Sequence, residues 1–393
     1  MQVRILSLLN GSEMNGNQHH RNGLSLFEVI VILLCLIVLA SLFLPAVRNG
    51  RDDAAGIQCL NNIRNVTVAI HGFASSNKSR LPAQAYYPSK VSSNSDEQEF
   101  YEGHSWVVSL IPYLDHCDWY DQWDFDKPWD STVERVAGNG SNTSLAYMTL
   151  PTLTCPRDPV SFQQNGGLSY AVNCGIGDLA WHTQTGIRQP GRVHSGQHHL
   201  SEPFDWNGNG ILPPEDLEDS AITRDFTLFS PQIGNSKSAE VGIPSSHSLD
   251  KITDGTSNTI MLGENINAGA RPGGTRLSWA DPQVCSNGLI LPIDARRLAP
   301  DAHASDGTLA ALVMTKPTNP GINRALNAGK GNAPFVNSNH QGVAVVAFMD
   351  GAAMTISEDI DMGVYSRLLT PCGTREREVT SFVPEGPIAN DSF

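Results

Sequence analysis

GLSLFEVIVILLCLIVLASLFLPAV, residues 23–47, governs how the rest of the chain must be organised. Behind a polar leader and Gly23 come some 24 nearly unbroken apolar residues with one acid among them, Glu28. At about 1.5 Å per residue the segment reaches roughly 36 Å as a helix, enough to cross a hydrocarbon core of about 30 Å. A carboxylate in the middle of such a span costs on the order of 2.5–3.5 kcal/mol, and less near an edge, where Glu28 stands. A cleaved secretory signal has an apolar core of about 7–15 residues and a small-residue stop, and this run is longer and lacks the stop. Pro45 is tolerable in a membrane helix. Arg4 and Arg21 precede the span while Arg48 and Arg51 follow it, so charge alone orients it weakly.

The chain has 393 residues, which leaves ample length beyond one span for a sizeable core. Its 26 basic and 40 acidic residues give a formal charge of −14, which favours solubility and argues against a nucleic-acid partner. Low charge content with 35 Gly and 24 Pro points to a loop-rich, β-containing exported domain. Of seven cysteines, Cys35 falls in the apolar run. Cys59, Cys117, Cys155, Cys174, Cys285 and Cys372 lie beyond it, and an oxidising compartment would let them pair in any of 15 ways. No C-x-x-C occurs, which leaves little support for a zinc or thioredoxin-like motif.

After Pro45 the apolar residues Ile57, Leu60, Ile63, Val66, Ile70 and Phe73 recur at helical spacing, which predicts an amphipathic helix over 54–75 ending in SSNKS. SWVVSLIPYLDHCDWYDQWDFDKPWD, from Ser105, predicts a short helix and an aromatic contribution to the core. LSYAVNCGI (168–176) reads as a strand, and KITDGTSNTIMLGEN (251–265) as a turn feeding a β-branched strand. GVAVVAFMDGAAMTIS (342–357) reads as a hairpin about Asp350-Gly351. Residues 178–244 and 301–339 are polar, Gly-containing excursions. The expectation is an α+β fold: a leader over 1–23, a membrane half-helix over 24–47, and a β-rich extracytoplasmic head over 48–393.

Two resemblances add to this. The leader, Gly23 and the acid five residues later resemble a type IV prepilin. That likeness implies cleavage after Gly23 by a prepilin peptidase, methylation of Leu24, and pairing of Glu28 with a neighbouring subunit's N-terminal amine. Further along, CLNNIRNVTVAIHGF, SWVVSLIPYL, CPRDP, ITDGTSNTIMLGE, and His340 followed at the tenth position by Asp350-Gly351 resemble, in this order, the domain of unknown function 1559 family. The likeness covers nearly the whole chain and implies a pilin-like architecture and a location, but no chemistry. The aromatic-rich stretch usual in that family after the helix is replaced here by HGFASSNKSRLPA, and the insertion around 194–216 is not part of its core.

DWNGNGILPPED, residues 205–216, matches a single calcium loop. The Asp205, Asn207 and Asn209 side chains, the Ile211 carbonyl and Asp216 would surround one cation, with Gly210 allowing the turn. With two certain carboxylates, a Kd of about 10⁻⁴–10⁻³ M follows. His182, His194, His198 and His199 have no carboxylate or Cys at ligand spacing, and a metal reading of them is weak. His340 reads as a cap on the hairpin, with Asp350 and Gly351 as its turn, and Asp254-Gly255 as another turn. G-x-S-x-G, H-E-x-x-H and P-loop motifs are absent. The reading is therefore a non-enzymatic, prepilin-processed, single-pass pilin-like or pseudopilin-like protein of the inner membrane, with other pilin-like subunits as candidate partners. The alternative is a tethered binding module for glycan or a secreted substrate. A third reading, a hydrolase built on His340, requires nearby carboxylates to meet it in an open pocket and His340 to have no role in the hairpin.

Overall fold

The computed structural model describes residues 25–91, 98–100, 103–175, 217–233, 246–291 and 321–374, with four two-residue strands between 181 and 199. Side chains are not described for 42–52, for the short strands within 89–100 and 181–199, or for 219, 220 and 233. The chain divides into two units, Met1–Asp53 and Ala54–Phe393.

Helix α1, Leu26–Ser76, contributes to both units. At its start Ser25 and Glu28 form a reciprocal cap. The Glu28 carboxylate accepts the Ser25 amide at 2.8 Å, and the Glu28 amide donates to the Ser25 hydroxyl at 3.3 Å. The apolar residues that follow are exposed, from Leu26 at 79% to Leu39 at 50%. Among the described residues no helix is long and apolar enough to cross a membrane; the apolar run with described side chains ends at Ser41.

In the second unit, α1 buries the stripe that helical spacing predicts. Ile63, Val66 and Ile70 are fully buried, and Leu60 and Phe73 pack against the same core. Ile57 is the exception at 61% exposed, because the buried stripe begins two residues later, at Cys59. The helix ends where expected: Lys78 and Ser79 take left-handed φ of 57° and 62°, and the Ser79 amide closes on Ala74 O at 2.9 Å.

This half-helix covers one face of a five-stranded sheet. Its strands are β1 (Tyr170–Asn173), β2 (Ile260–Glu264), β3 (Gly288–Leu289), β4 (Val343–Phe348) and β5 (Ala353–Ser357), in spatial order β3-β1-β2-β4-β5. Only the β3–β1 pair is parallel. Alternation sorts the side chains between two cores. Tyr170, Val172, Leu262, Val345 and Ala347 share a core with Ile63, Val66 and Ile70 of α1. Ala171, Ile260, Val346, Phe348 and Ile356 share the other with Tyr365 and Leu368 of α2 (Met362–Leu368), which is capped by the Asp361 carboxylate. A register shift between Ile260 and Leu262 puts consecutive residues Met261 and Leu262 in the α1-side core. The architecture is mixed helix and sheet, α+β.

The hairpin β4–β5 turns at Asp350-Gly351, where Gly351 has φ of +91° and Asp350 accepts the Ala352 amide at 2.9 Å. The ITDGTSNT loop docks onto this turn, since the Asp350 amide donates to Thr256 O at 3.1 Å. The aromatic segment enters the core: Trp106 and Trp123 are fully buried and Trp129 nearly so. The excursion at 301–339 differs from its sequence reading. From residue 321 it is part of the interior, with Ile322, Ala333, Phe335 and Val336 all buried. Its Gly and Asn residues bond to the backbone, as in Asn323 Nδ2 to Val343 O at 3.1 Å and the Gly331 amide to Asn267 O at 2.6 Å, rather than serving solvation.

His104 is buried among the rings of Tyr86, Trp123 and Phe125. Desolvation pushes its pKa down to about 4, although the Ser105 carbonyl favours the charged ring. As pH falls below 6.5 the unfolded chain takes up this proton first. His104 therefore costs nothing above that pH and destabilises increasingly down to pH 4, by a limit of about 3 kcal/mol. Urea unfolding of His104→Gln across this window is expected to show a flatter acid limb than wild type; parallel limbs reject the assignment.

Candidate functional site

β2 is apolar until its last residue, where Glu264 is placed on the α1-side face, in register with Tyr170 of β1. Tyr170 points toward α1 and donates its hydroxyl to Cys59 O at 3.3 Å. Cys59 is disulfide-bonded to Cys155, with a Cα–Cα distance of 5.1 Å. Cys155 follows the short helical turn Pro151–Leu153, which Asn62 of α1 holds by donating to Pro151 O at 3.3 Å and Thr154 O at 2.9 Å. The remaining cysteines beyond the apolar run, Cys117, Cys174, Cys285 and Cys372, stay thiols. One pair of the six is bonded, so none of the 15 complete pairings is realised.

His340 comes in from the loop before β4. Its amide donates to Ser338 Oγ at 3.0 Å, and Asn339 donates to Arg157 O at 2.9 Å, which ties this loop to the one carrying Cys155. Its Nε2 lies 3.4 Å from Cys155 Sγ and 3.8 Å from Glu264 Oε2. The sequence reading made His340 a side-chain cap on the hairpin. In the structure its ring instead faces the disulfide and Glu264, while Asp350 and Gly351 build the turn without it. A carboxylate in the apolar interior attracts the one ring that can share its proton.

Glu264 is fully buried, and neither carboxylate oxygen has a hydrogen-bond partner. Desolvation raises its pKa to about 8, and Asp158 adds to the rise. The Ser338 hydroxyl, the Val345 amide and Arg157 act against it. The first two are near the carboxylate, but neither reaches the geometry of a formed bond.

Beside this cluster stands a second buried charge, satisfied in full. Asp158 accepts the Val160 and Ser161 amides at 3.1 Å each, the Ser169 hydroxyl at 2.8 Å and Lys330 Nζ at 3.1 Å. Burial lowers the Lys330 pKa while Asp158 opposes the change. The contrast with Glu264 sets the candidate site apart. Among the described residues the cluster is enclosed: Cys59, Cys155 and Glu264 are buried and the His340 side chain is 9% exposed. Its donors can hold a proton or an ion.

Asp254 works elsewhere. Its carboxylate accepts the Gly373 amide at 2.8 Å, the Thr374 amide at 3.0 Å and the Thr370 hydroxyl at 3.1 Å, so the turn expected there also anchors the segment after α2. Gly23, Leu24 and the loop carrying Asp205, Asn207, Asn209, Ile211 and Asp216 lie outside the described residues. Glu264 went unmarked as a site residue in the sequence. Its signal was one acid closing the strand IMLGE, whose other residues are apolar or Gly.

Fold and site together define a head of α+β architecture whose long N-terminal helix is bonded covalently into its core. The family described as "Protein of unknown function (DUF1559)" matches residues 48–363, a span containing Cys59, Cys155, Glu264 and His340, and the chain belongs to that family. No curated protein and no solved structure matches the chain.

Proposed function

We propose that the chain is a prepilin-processed, membrane-anchored structural protein of pilin-like or pseudopilin-like type, with its head outside the inner membrane. The observation that carries this reading is the exposed apolar surface of α1 from Leu26 to Leu39, headed by Glu28. Such a surface on an isolated chain marks a lipid or protein contact. It belongs to the segment whose leader, Gly23 and Glu28 resemble a prepilin. The aromatic segment lends no support to a glycan-binding head, because Trp106, Trp123 and Trp129 are taken up by the core. Calcium held by the Asp205–Asp216 loop would order the insertion and remains part of the proposal.

Glu28 has a local task, capping α1 through Ser25, and under this reading a second task between subunits. Two substitutions separate them. Glu28→Gln keeps a capping side chain and loses the charge, whereas Glu28→Ala loses both. Membrane-extracted native protein is expected to begin at N-methylated Leu24, shown by intact mass and N-terminal sequencing. Both variants are expected to be processed yet absent from high-mass assemblies. A chain still starting at Met1, or assembly indifferent to either variant, would leave a tethered head and favour the binding-module reading.

A further inference from the structure

We propose that Cys59, Cys155, His340 and Glu264 form a tetrahedral site for a zinc-class divalent cation, which the disulfide keeps closed and its reduction opens. Four elements converge here: α1, the loop after Pro151–Leu153, the end of β2 and the loop before β4. Their ligand atoms all lie within 4.8 Å of one another. Zn–N, Zn–O and Zn–S bonds of about 2.0–2.3 Å place the ligands of a tetrahedron some 3.3–3.8 Å apart. Two edges already have that length, Cys155 Sγ to His340 Nε2 at 3.4 Å and His340 Nε2 to Glu264 Oε2 at 3.8 Å. The sulfur–sulfur bond holds a third edge too short, and the other three are no longer than 4.8 Å.

The second observation is independent of the cysteines. Glu264 is a fully buried carboxylate, aimed into the cluster, with both oxygens lacking hydrogen bonds. A group of this kind in a folded interior calls for an explanation, and an absent ion is one of the few available. Asp158, equally buried, accepts four bonds and needs none. The donor set of two sulfurs, one imidazole nitrogen and one carboxylate oxygen selects zinc-class cations over calcium or magnesium, which require oxygen ligands throughout. This inference is independent of the use made of the N-terminal helix.

The steps balance. A dithiol reductant delivers two electrons and two protons to the Cys59–Cys155 bond and leaves as its own cyclic disulfide. The cation then displaces to solvent the two thiol protons and the proton that a neutral Glu264 carboxyl carries, taking two thiolates, the neutral His340 Nε2 and the Glu264 carboxylate. A disulfide oxidant that takes the two electrons of the thiolates, and two protons from solvent, to become a dithiol re-forms the Cys59–Cys155 bond, and the cation leaves for solvent.

The test uses the full chain in detergent, reduced with a dithiol, freed of reductant without oxygen, and titrated with Zn²⁺ or Co²⁺. One equivalent is expected per reduced chain, with thiolate-to-cobalt charge-transfer absorption, and none in the oxidised chain. His340→Ala and Glu264→Gln are expected to lose affinity by more than the roughly 10–100-fold that an outer-shell partner costs. His340→Cys, which keeps a donor, is expected to restore binding and guards against a folding defect in the alanine variant. Replacing Cys117, Cys174, Cys285 and Cys372 by Ser is expected to leave stoichiometry unchanged. Equal binding by the oxidised chain, retention of affinity in both His340→Ala and Glu264→Gln, or no binding on reduction would overturn the proposal.

Discussion

Cys155→Ser is expected to destabilise the head by about 4–5 kcal/mol. The bond joins residues separated by 96 positions, and closing so long a loop removes much of the freedom of the unfolded chain. Both sulfurs are buried in the core cluster that also holds Ile63 and Val66, so the substitution also leaves a hydroxyl in an apolar setting. Urea unfolding with a chelator present is the measurement. The chelator matters because a cation bound by the reduced wild type would conceal part of the loss. Under these conditions Cys59→Ser, Cys155→Ser and the reduced wild type should fall together, all well below the oxidised wild type. A difference under about 1 kcal/mol would show that packing and the Asn62 bonds hold the Cys155 loop without help.

The second large effect is expected at Lys330. Lys330→Met keeps the bulk of the side chain and removes its charge, leaving Asp158 buried without a counter-ion. Breaking a buried pair from one side costs about 3–5 kcal/mol. Here the lower end, about 3 kcal/mol, is appropriate, because Asp158 retains two backbone amides and the Ser169 hydroxyl. The partner substitution decides the cause. Asp158→Asn removes the stranded charge, so Asp158→Asn with Lys330→Met should be less destabilised than the sum of the two single changes, by about 1–2 kcal/mol. Strict additivity would place the loss in packing of the lysine stem instead.

Much of the frame was legible because it rests on local rules. The three- to four-residue spacing of Ile63, Val66 and Ile70 wrote the packed half of α1 into the chain, and Asp350-Gly351 between apolar runs wrote the hairpin. Ile57 continued the same spacing but stays exposed, with no partner packed on it among the described residues, and periodicity alone cannot tell where a partner element stops. The site was hidden for a different reason. Cys59, Cys155, Glu264 and His340 come from four distant segments, and their meeting depends on strand order and register. Three of those segments carried recognisable motifs, and the fourth placed His340 correctly before its hairpin. The direction of its ring was a tertiary matter: the interior offered a carboxylate without hydrogen bonds, and the hairpin turn was already satisfied by Asp350. Residues 321–339 misled through composition, since Gly and Asn suit a solvent loop as readily as an internal one whose polar groups bond to the backbone.

The disulfide also fixes how the head would carry a load. Tension applied through α1 enters the second unit after Asp53 and reaches Cys59 within two helical turns. There it divides from the peptide path and crosses through sulfur to Cys155. The intervening chain is short-circuited and bears no force, however hard the two ends are pulled. Its contour, roughly 330 Å if fully drawn out, is withheld from extension until the bond is reduced. The polypeptide thus stretches as a shorter tether than its length suggests, with a chemically releasable reserve.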